Sequence, residues 1–181
     1  MLETEVKISV NNPSFVQQQL EGITGKKGRT EEQTDVYLDT ENEDLKKFDR
    51  VLRIRTISSG KQIITYKGPR ITHDIKTREE LEVHVKDGKI MQQILENVGF
   101  KQIAVIEKKR SIYEVGSFLV SLDFVKSLGT FLEIETKVRN QKGREILQRQ
   151  FEEFINKLGI SRTDIERRTY IDLFSELYGV K

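Results

Sequence analysis

Polar and apolar residues alternate with a period of two along most of this chain, the pattern of strands with one covered face. In Leu2–Ile8, Leu2, Val6 and Ile8 fall on one side and Glu3, Glu5 and Lys7 on the other. Arg53 and Arg55 likewise oppose Leu52 and Ile54 within Arg50–Ile57, and Thr65 and Lys67 oppose Ile64 and Tyr66 within Gln62–Lys67. Ser58-Ser59-Gly60-Lys61 has hairpin chemistry between these two runs, and Gly68-Pro69 ends the second. In Arg78–Val85, Leu81, Val83 and Val85 oppose Arg78, Glu80, Glu82 and His84. Arg29–Leu38 reads as a further strand. The most regular stretch predicts three consecutive antiparallel strands, Ile103–Tyr113, Phe118–Val125 and Thr130–Val138, turning at Gly116 and Leu128-Gly129. There Lys108 and Arg110 share a face, as do Ser121 and Asp123, and as do Phe131, Glu133 and Glu135.

Helical spacing marks four other segments. Ser14–Leu20 follows Asn12-Pro13 and has Phe15, Val16 and Leu20 as its apolar side. Asp87–Asn97 carries Ile90, Met91, Ile94, Leu95 and Val98, with Met91 read as core, and stops at Gly99. Asn140–Leu158 is a long amphipathic helix ended by Gly159, and Tyr170–Tyr178 is a last short one. Glu41–Phe48 predicts a loop with one helical turn, and Arg70–Lys76 a basic loop long enough to serve function. The expected fold is α+β: an antiparallel meander of eight strands with helices packed on it, in a single domain over residues 1–181.

Composition narrows the chemistry. Charged residues make up 33% and hydrophobic ones 36%, which suits a highly charged globular protein rather than a disordered one. A net charge of +2 gives no field that would gather nucleic acid, so anion recognition must come from a local cluster. With no Cys, disulfides, thiolate metal sites and thiol catalysis are excluded. The two His, at 73 and 84, lack ligand-like spacing, and His84 reads as an ordinary strand residue. No apolar run reaches membrane-spanning length and no signal peptide opens the chain, so a cytoplasmic protein without membrane association is expected.

The polar faces carry like-sign pairs: Glu-x-Glu at 3/5, 80/82 and 133/135, Arg-x-Arg at 53/55 and Lys-x-Arg at 108/110. Two carboxylates two residues apart on one face sit about 6.6 Å from each other and repel. Taken alone, the first strand is also compatible with an ordinary half-exposed strand whose charged face is solvated. The recurrence of the pattern favours closing the sheet into a barrel with these faces inward, where acids meet bases and the apolar faces turn out toward covering helices. A desolvated ion costs several kcal/mol, roughly, so such a lumen makes sense if it stays wet and takes a highly charged ligand. Arg forks and Lys ammoniums suit phosphates, and carboxylates suit Mg²⁺ or Mn²⁺. Together they specify a polyphosphate–metal complex, without the Gly-rich loop ending in Lys-Ser/Thr that P-loop proteins use.

These residues resemble the CYTH superfamily, the triphosphate tunnel metalloenzymes. The Glu-x-Glu-x-Lys signature stands as Glu3-Thr4-Glu5-Val6-Lys7. It is followed in order by Leu52-Arg53-Ile54-Arg55, Thr65-Tyr66-Lys67-Gly68, Arg78-Glu79-Glu80, Ile106-Glu107-Lys108-Lys109-Arg110 and Phe131-Leu132-Glu133-Ile134-Glu135. The run from Ile106 to Phe118, Asp35-Val36-Tyr37-Leu38-Asp39, and Leu122-Asp123 before Leu128-Gly129 look most like class IV adenylyl cyclases. Glu135 departs from that branch by adding a second acid on the last strand, as hydrolytic branches often do.

The resemblance implies an eight-stranded antiparallel β-barrel, a triphosphate tunnel, with helices packed outside and a two-metal site for Mg²⁺ or Mn²⁺. Glu3, Glu5, Glu133 and Glu135 would hold metal. Lys7, Arg53, Arg55, Lys67, Arg78, Lys108 and Arg110 would bind phosphates, and Lys7, Asp123 and Glu135 are the candidate catalytic residues. The implied partner is a nucleoside triphosphate or inorganic tripolyphosphate, and a homodimer stays open. The implied activity is cyclisation of ATP to cyclic AMP and pyrophosphate. The alternatives are hydrolysis of tripolyphosphate, thiamine triphosphate or a nucleoside triphosphate, and polyphosphate binding without catalysis.

Overall fold

The computed structural model describes residues 2–71, 76–138 and 141–179. Among them the eight strands are β1 (Leu2–Ser9), β2 (Arg29–Thr40), β3 (Val51–Ile57), β4 (Gln62–Lys67), β5 (Lys76–Val85), β6 (Phe100–Val115), β7 (Phe118–Val125) and β8 (Gly129–Val138). They close into a barrel in the order β1-β5-β4-β3-β2-β6-β7-β8, every neighbour antiparallel. The eight-stranded barrel is the one the charge pattern predicts, but its path is not one meander. Two meanders, β2 to β5 and β6 to β8, run from the long β2–β6 pair in opposite senses around the wall, and β1 closes the gap between β5 and β8. Among the described residues closure leaves no strand at a sheet edge.

Among the described residues five α-helices accompany the barrel: α1 (Pro13–Thr24), α2 (Asp44–Lys47), α3 (Gly88–Asn97), α4 (Gln141–Lys157) and α5 (Tyr170–Tyr178). In α1 the Asn12 side chain accepts from Phe15 N–H, Pro13 occupies the first turn, and Gly25 closes the helix at a φ of 68°. Val16 and Leu20 of α1 join Phe151, Phe154, Ile155 and Leu158, at the end of α4, over the outer face of β1, β7 and β8. The rings of Phe151 and Phe154 lie 4.9 and 5.9 Å from Phe118. Full burial of such a side chain contributes about 1.5–3 kcal/mol. The Ile146 and Leu147 side chains, the remaining apolar positions expected on this helix, lie outside the described residues, as does most of the 70–76 loop with His73.

α5 does a different job. A capping box starts it: Thr169 Oγ1 accepts from Asp172 N–H while Asp172 accepts from Thr169 N–H. The segment before it is pinned to β1, where Glu166 N–H donates to Lys7 O at 2.8 Å and Ile165 bridges Ile8. Tyr170 is thereby placed across one end of the barrel. It packs there with Tyr37, Ala104, Ile106, Val125 and Phe131 in a second core.

Cover on the outside is uneven, against expectation. Leu81 and Val83 of β5 are 52% and 63% exposed, and Ile90, Ile94 and Val98 of α3 are exposed too. Only part of the α3 stripe reaches the wall, through its half-buried Met91 and Leu95 and the contact of Gly88 with Ile54. Alternation defines which residues share a face; it does not supply a helix to cover them. Asp87 stands outside α3 as its cap, accepting from Lys89 and Ile90 N–H.

Candidate functional site in the barrel lumen

The lumen is a cavity of about 360 Å³. It is lined by the residues that β-alternation turns inward, from Tyr170 at the α5 end to Arg29, Ser59, Lys61 and Leu119 at the other. The register explains the layering. Ser9 pairs with Phe131, Lys7 with Glu133, and Glu5 with Glu135, so β1 and β8 present an apolar step, an opposite-charge step and an acid–acid step in succession. Across the barrel Asp35 pairs with Arg55, and Tyr37 with Arg53.

Two ion-pair systems occupy the two walls. On β2–β3, Asp35 is fully buried and accepts from Arg55 Nε and Nη2 at 2.6 and 2.7 Å. Arg53 Nη1 lies 3.6 Å from the same carboxylate. Burial disfavours the Asp35 charge, but Arg55 and Arg53 outweigh it and hold the carboxyl well below its ordinary range. On β6–β8, Asp123 accepts from Arg110 Nε and Nη2 at 2.7 and 2.6 Å, from Lys108 Nζ at 3.0 Å and from the Tyr170 hydroxyl at 3.0 Å. Arg110 also donates to Glu133 and reaches Glu135 at 3.8 Å. Lys67 pairs with Glu80 at 2.8 Å.

These environments push neighbouring groups in opposite directions. Burial opposes the charge of Glu133, yet Arg110, Lys108 and Lys7 keep it ionised well below the usual carboxylate range. Glu135 moves upward: burial raises it, Arg110 works against that, and the Glu133 and Glu5 charges add to it. Lys108 falls to about 8 because burial and the adjacent Arg110 outweigh Asp123. Donors without acceptors remain among the described residues: the buried Arg78 Nη1 and Arg53 Nε have no hydrogen-bond partner. An unmet buried donor costs roughly 1–3 kcal/mol, more when charged.

A model of the CYTH domain matches residues 1–170. The chain belongs to the CYTH family. A Methanocaldococcus jannaschii protein named "Putative adenylate cyclase" is 35% identical over 96% of this chain and 98% of its own. The solved structure of the PH1819 protein of Pyrococcus horikoshii superposes with a TM-score of 0.87 at 32% identity, covering 97% of this chain and 99% of that one. A Hippeastrum protein titled a "Putative adenylyl cyclase" with "a dominant triphophatase activity" shares the fold, with a TM-score of 0.71 at 20% identity over 97% and 95% of the two chains. Among the described residues no helix is long and apolar enough to cross a membrane.

Within this CYTH barrel, Glu5, Lys7, Arg53, Arg55, Lys67, Arg78, Lys108, Arg110, Glu133 and Glu135 all line the lumen, and Asp123 joins them through Arg110 and Lys108. Glu3 continues the same β1 face by register, opposite Arg78, while its side chain lies outside the described residues. The acids fit a hard divalent cation as a donor set: Glu5 and Glu133 lie close enough to push Glu135 upward, a repulsion a cation would relieve. They do not converge on one point, for among the described residues no three acids form a ligand cluster; Arg110 sits between Glu133 and Glu135 instead.

Two lumen residues escape the sequence reading. Asp35 was visible as an acid on the inward face of β2, opposite Arg55, but it reads as part of a motif rather than as a counter-ion. Tyr170 gives no signal beyond starting a helix, because its role depends on where the chain end folds back.

Proposed function

We propose that this CYTH barrel is an enzyme acting on the triphosphate of a nucleoside triphosphate, cyclising ATP to cyclic AMP and pyrophosphate in the manner of class IV adenylyl cyclases. The observation that carries this is a lumen ringed by nine cationic side chains, two of which, Arg53 and Arg78, keep buried donors without acceptors among the described residues. Monophosphate would meet only part of that ring. The named similarity to the M. jannaschii protein supports the cyclase form of the reading.

In this reading Arg53, Arg55, Lys67 and Arg78 bind phosphoryl oxygens from the β3–β5 side, and Lys7, Lys108 and Arg110 from the β1–β6 side. Held by the lumen acids Glu5, Glu133 and Glu135, with Glu3 on the same face, Mg²⁺ or Mn²⁺ would supply Lewis-acid neutralisation of phosphoryl charge. The ribose 3′-oxygen attacks the α-phosphorus, its proton passes to a lumen base, and pyrophosphate leaves with the bridging oxygen. The fixed cations neutralise the charge that collects on that leaving group.

A specific observation favours hydrolysis as the second reading. Glu135 is displaced upward by burial and by the Glu133 and Glu5 charges, in the direction a general base needs, and its side chain is 21% exposed. There it would take a proton from water attacking the γ-phosphorus, and orthophosphate would leave. One experiment separates the readings: incubation with ATP, GTP, thiamine triphosphate and tripolyphosphate, with Mg²⁺ or Mn²⁺, followed by product analysis. The proposal expects cyclic AMP and pyrophosphate. Orthophosphate as the dominant product would establish the second reading, and no product from any substrate would leave a binding module. With Glu135→Ala, a hydrolase loses roughly a hundredfold in orthophosphate release, and a cyclase stays within about tenfold in cyclic nucleotide formation, or ~1.4 kcal/mol.

A further inference from the structure

One aromatic ring at the α5 end touches three of the charged groups on the phosphate-facing walls. Tyr170 is 5% exposed and lines the cavity. The Lys7 ammonium lies 4.0 Å from its ring centroid and the Lys108 ammonium 4.8 Å. Its hydroxyl donates to Asp123 at 3.0 Å. Phe131 packs edge-on against it at 5.4 Å and 66°, and this ring lies 5.9 Å from Lys7 as well. A Lys side chain is a flexible four-carbon stem, so an ammonium in a wet tunnel has many placements. Two ammoniums over one π-surface, with an anion fixed at its edge, have few. The ring is itself fixed by three independent constraints: the capping box at Thr169, the Phe131 contact, and the bond from Glu166 N–H to the carbonyl of Lys7. The backbone of Lys7 thus anchors the segment that carries the ring under its own ammonium.

We propose that Tyr170 is a positioning residue of the polyphosphate site: its ring holds the Lys7 and Lys108 ammoniums together at the closed end, so that both meet the oxygens of one phosphoryl group. The assignment rests on the tunnel reading above. It separates the ring from the hydroxyl. The ring faces both ammoniums, with Lys108 also bonded to Asp123 at 3.0 Å, and the hydroxyl orients Asp123, which Arg110 already holds with two hydrogen bonds. Tyr170→Phe therefore keeps the function and Tyr170→Leu loses it.

Two measurements on the full chain test this. The first is a carbon–proton correlation spectrum of the lysine ε-methylenes, which ring currents shift upfield when the ammonium lies over an aromatic face. Two shifted lysines are expected in the wild type and in Tyr170→Phe, and none from this ring in Tyr170→Leu. Lys7→Arg and Lys108→Arg assign the signals. The second is calorimetry with inorganic tripolyphosphate. Tyr170→Phe should bind within about threefold of wild type, and Tyr170→Leu about tenfold more weakly. Absence of shifted lysine signals from the wild type overturns the assignment, even if the Leu variant does not fold. So does a folded Leu variant that binds as tightly as wild type, and so does an equal loss in the Phe variant, which would put the effect in the hydroxyl. If the wild type shows the shifted lysines yet does not bind tripolyphosphate, the tunnel reading is the one that fails.

Discussion

The two walls of the lumen hold their charges in different ways. On β2–β3 one acid serves two cations: Asp35 is chelated by Arg55 and leaned on by Arg53, with no other acid within pairing distance of Arg55 among the described contacts. On β6–β8 one cation reaches three acids, since Arg110 bonds Asp123 and Glu133 and lies 3.8 Å from Glu135, while Lys108 shares Asp123 with it. The first wall is committed before any ligand arrives: Arg55 is held bidentately by Asp35, and Arg53 also donates to Thr65 Oγ1 at 3.3 Å and lies 4.0 Å from Glu82. The second can redistribute, because Arg110 can release Glu133 and Glu135 and still be held bidentately by Asp123. That is the arrangement a cation and a polyphosphate need if they enter together. In the proposed reading a phosphate would draw Arg110 and free the acids for a cation, and each ligand's binding would raise the affinity of the other by the same factor.

The sharpest way to break this comparison is to remove one acid from each wall. Asp35→Ala leaves the buried Arg53 and the half-buried Arg55 without their shared carboxylate and should cost about 3–5 kcal/mol in urea denaturation. Glu133→Ala leaves Arg110 with Asp123 and Glu135 and should cost clearly less, about 1–2 kcal/mol. Equal losses would mean that the walls do not differ in this way.

Next in size is the pH dependence of the second wall. Lys108 titrates near 8 in the folded chain, below the ordinary lysine value, so its ammonium is lost as pH rises through 8. Tripolyphosphate affinity should fall above that pH, by up to about tenfold per unit. Folding stability should move the other way between pH 8 and the ordinary lysine range, because there the unfolded chain binds the extra proton and its removal favours the folded state. Lys108→Arg should flatten the binding profile; a profile that stays unchanged would relocate the titrating group.

How much of this was legible in the sequence follows from what each feature depends on. The period of two identifies which residues share a face, and like-sign pairs such as Arg53/Arg55 and Glu133/Glu135 make sense only if that face is turned inward. The barrel and most of its lining follow from that. The closing position of β1 between β5 and β8 does not, because strand order depends on contacts between residues far apart in sequence. Leu81 and Val83 misled for a related reason: their alternation matches that of covered strands such as β7, and only the third dimension shows that they stay exposed. Tyr170 was illegible because a helix start carries no mark of what lies across from it, and Asp35 because its partner, Arg55, is twenty residues on.

The central claim is that the lumen cations form one site for a chain of phosphates. Calorimetry of the wild-type protein with tripolyphosphate, pyrophosphate and orthophosphate, at fixed ionic strength and with and without Mg²⁺, tests it most directly. The account predicts affinity rising steeply from orthophosphate to tripolyphosphate, because each added phosphoryl group meets further fixed donors, and a further rise for tripolyphosphate when Mg²⁺ is present. Equal affinities for the three anions, with no effect of Mg²⁺, would contradict it.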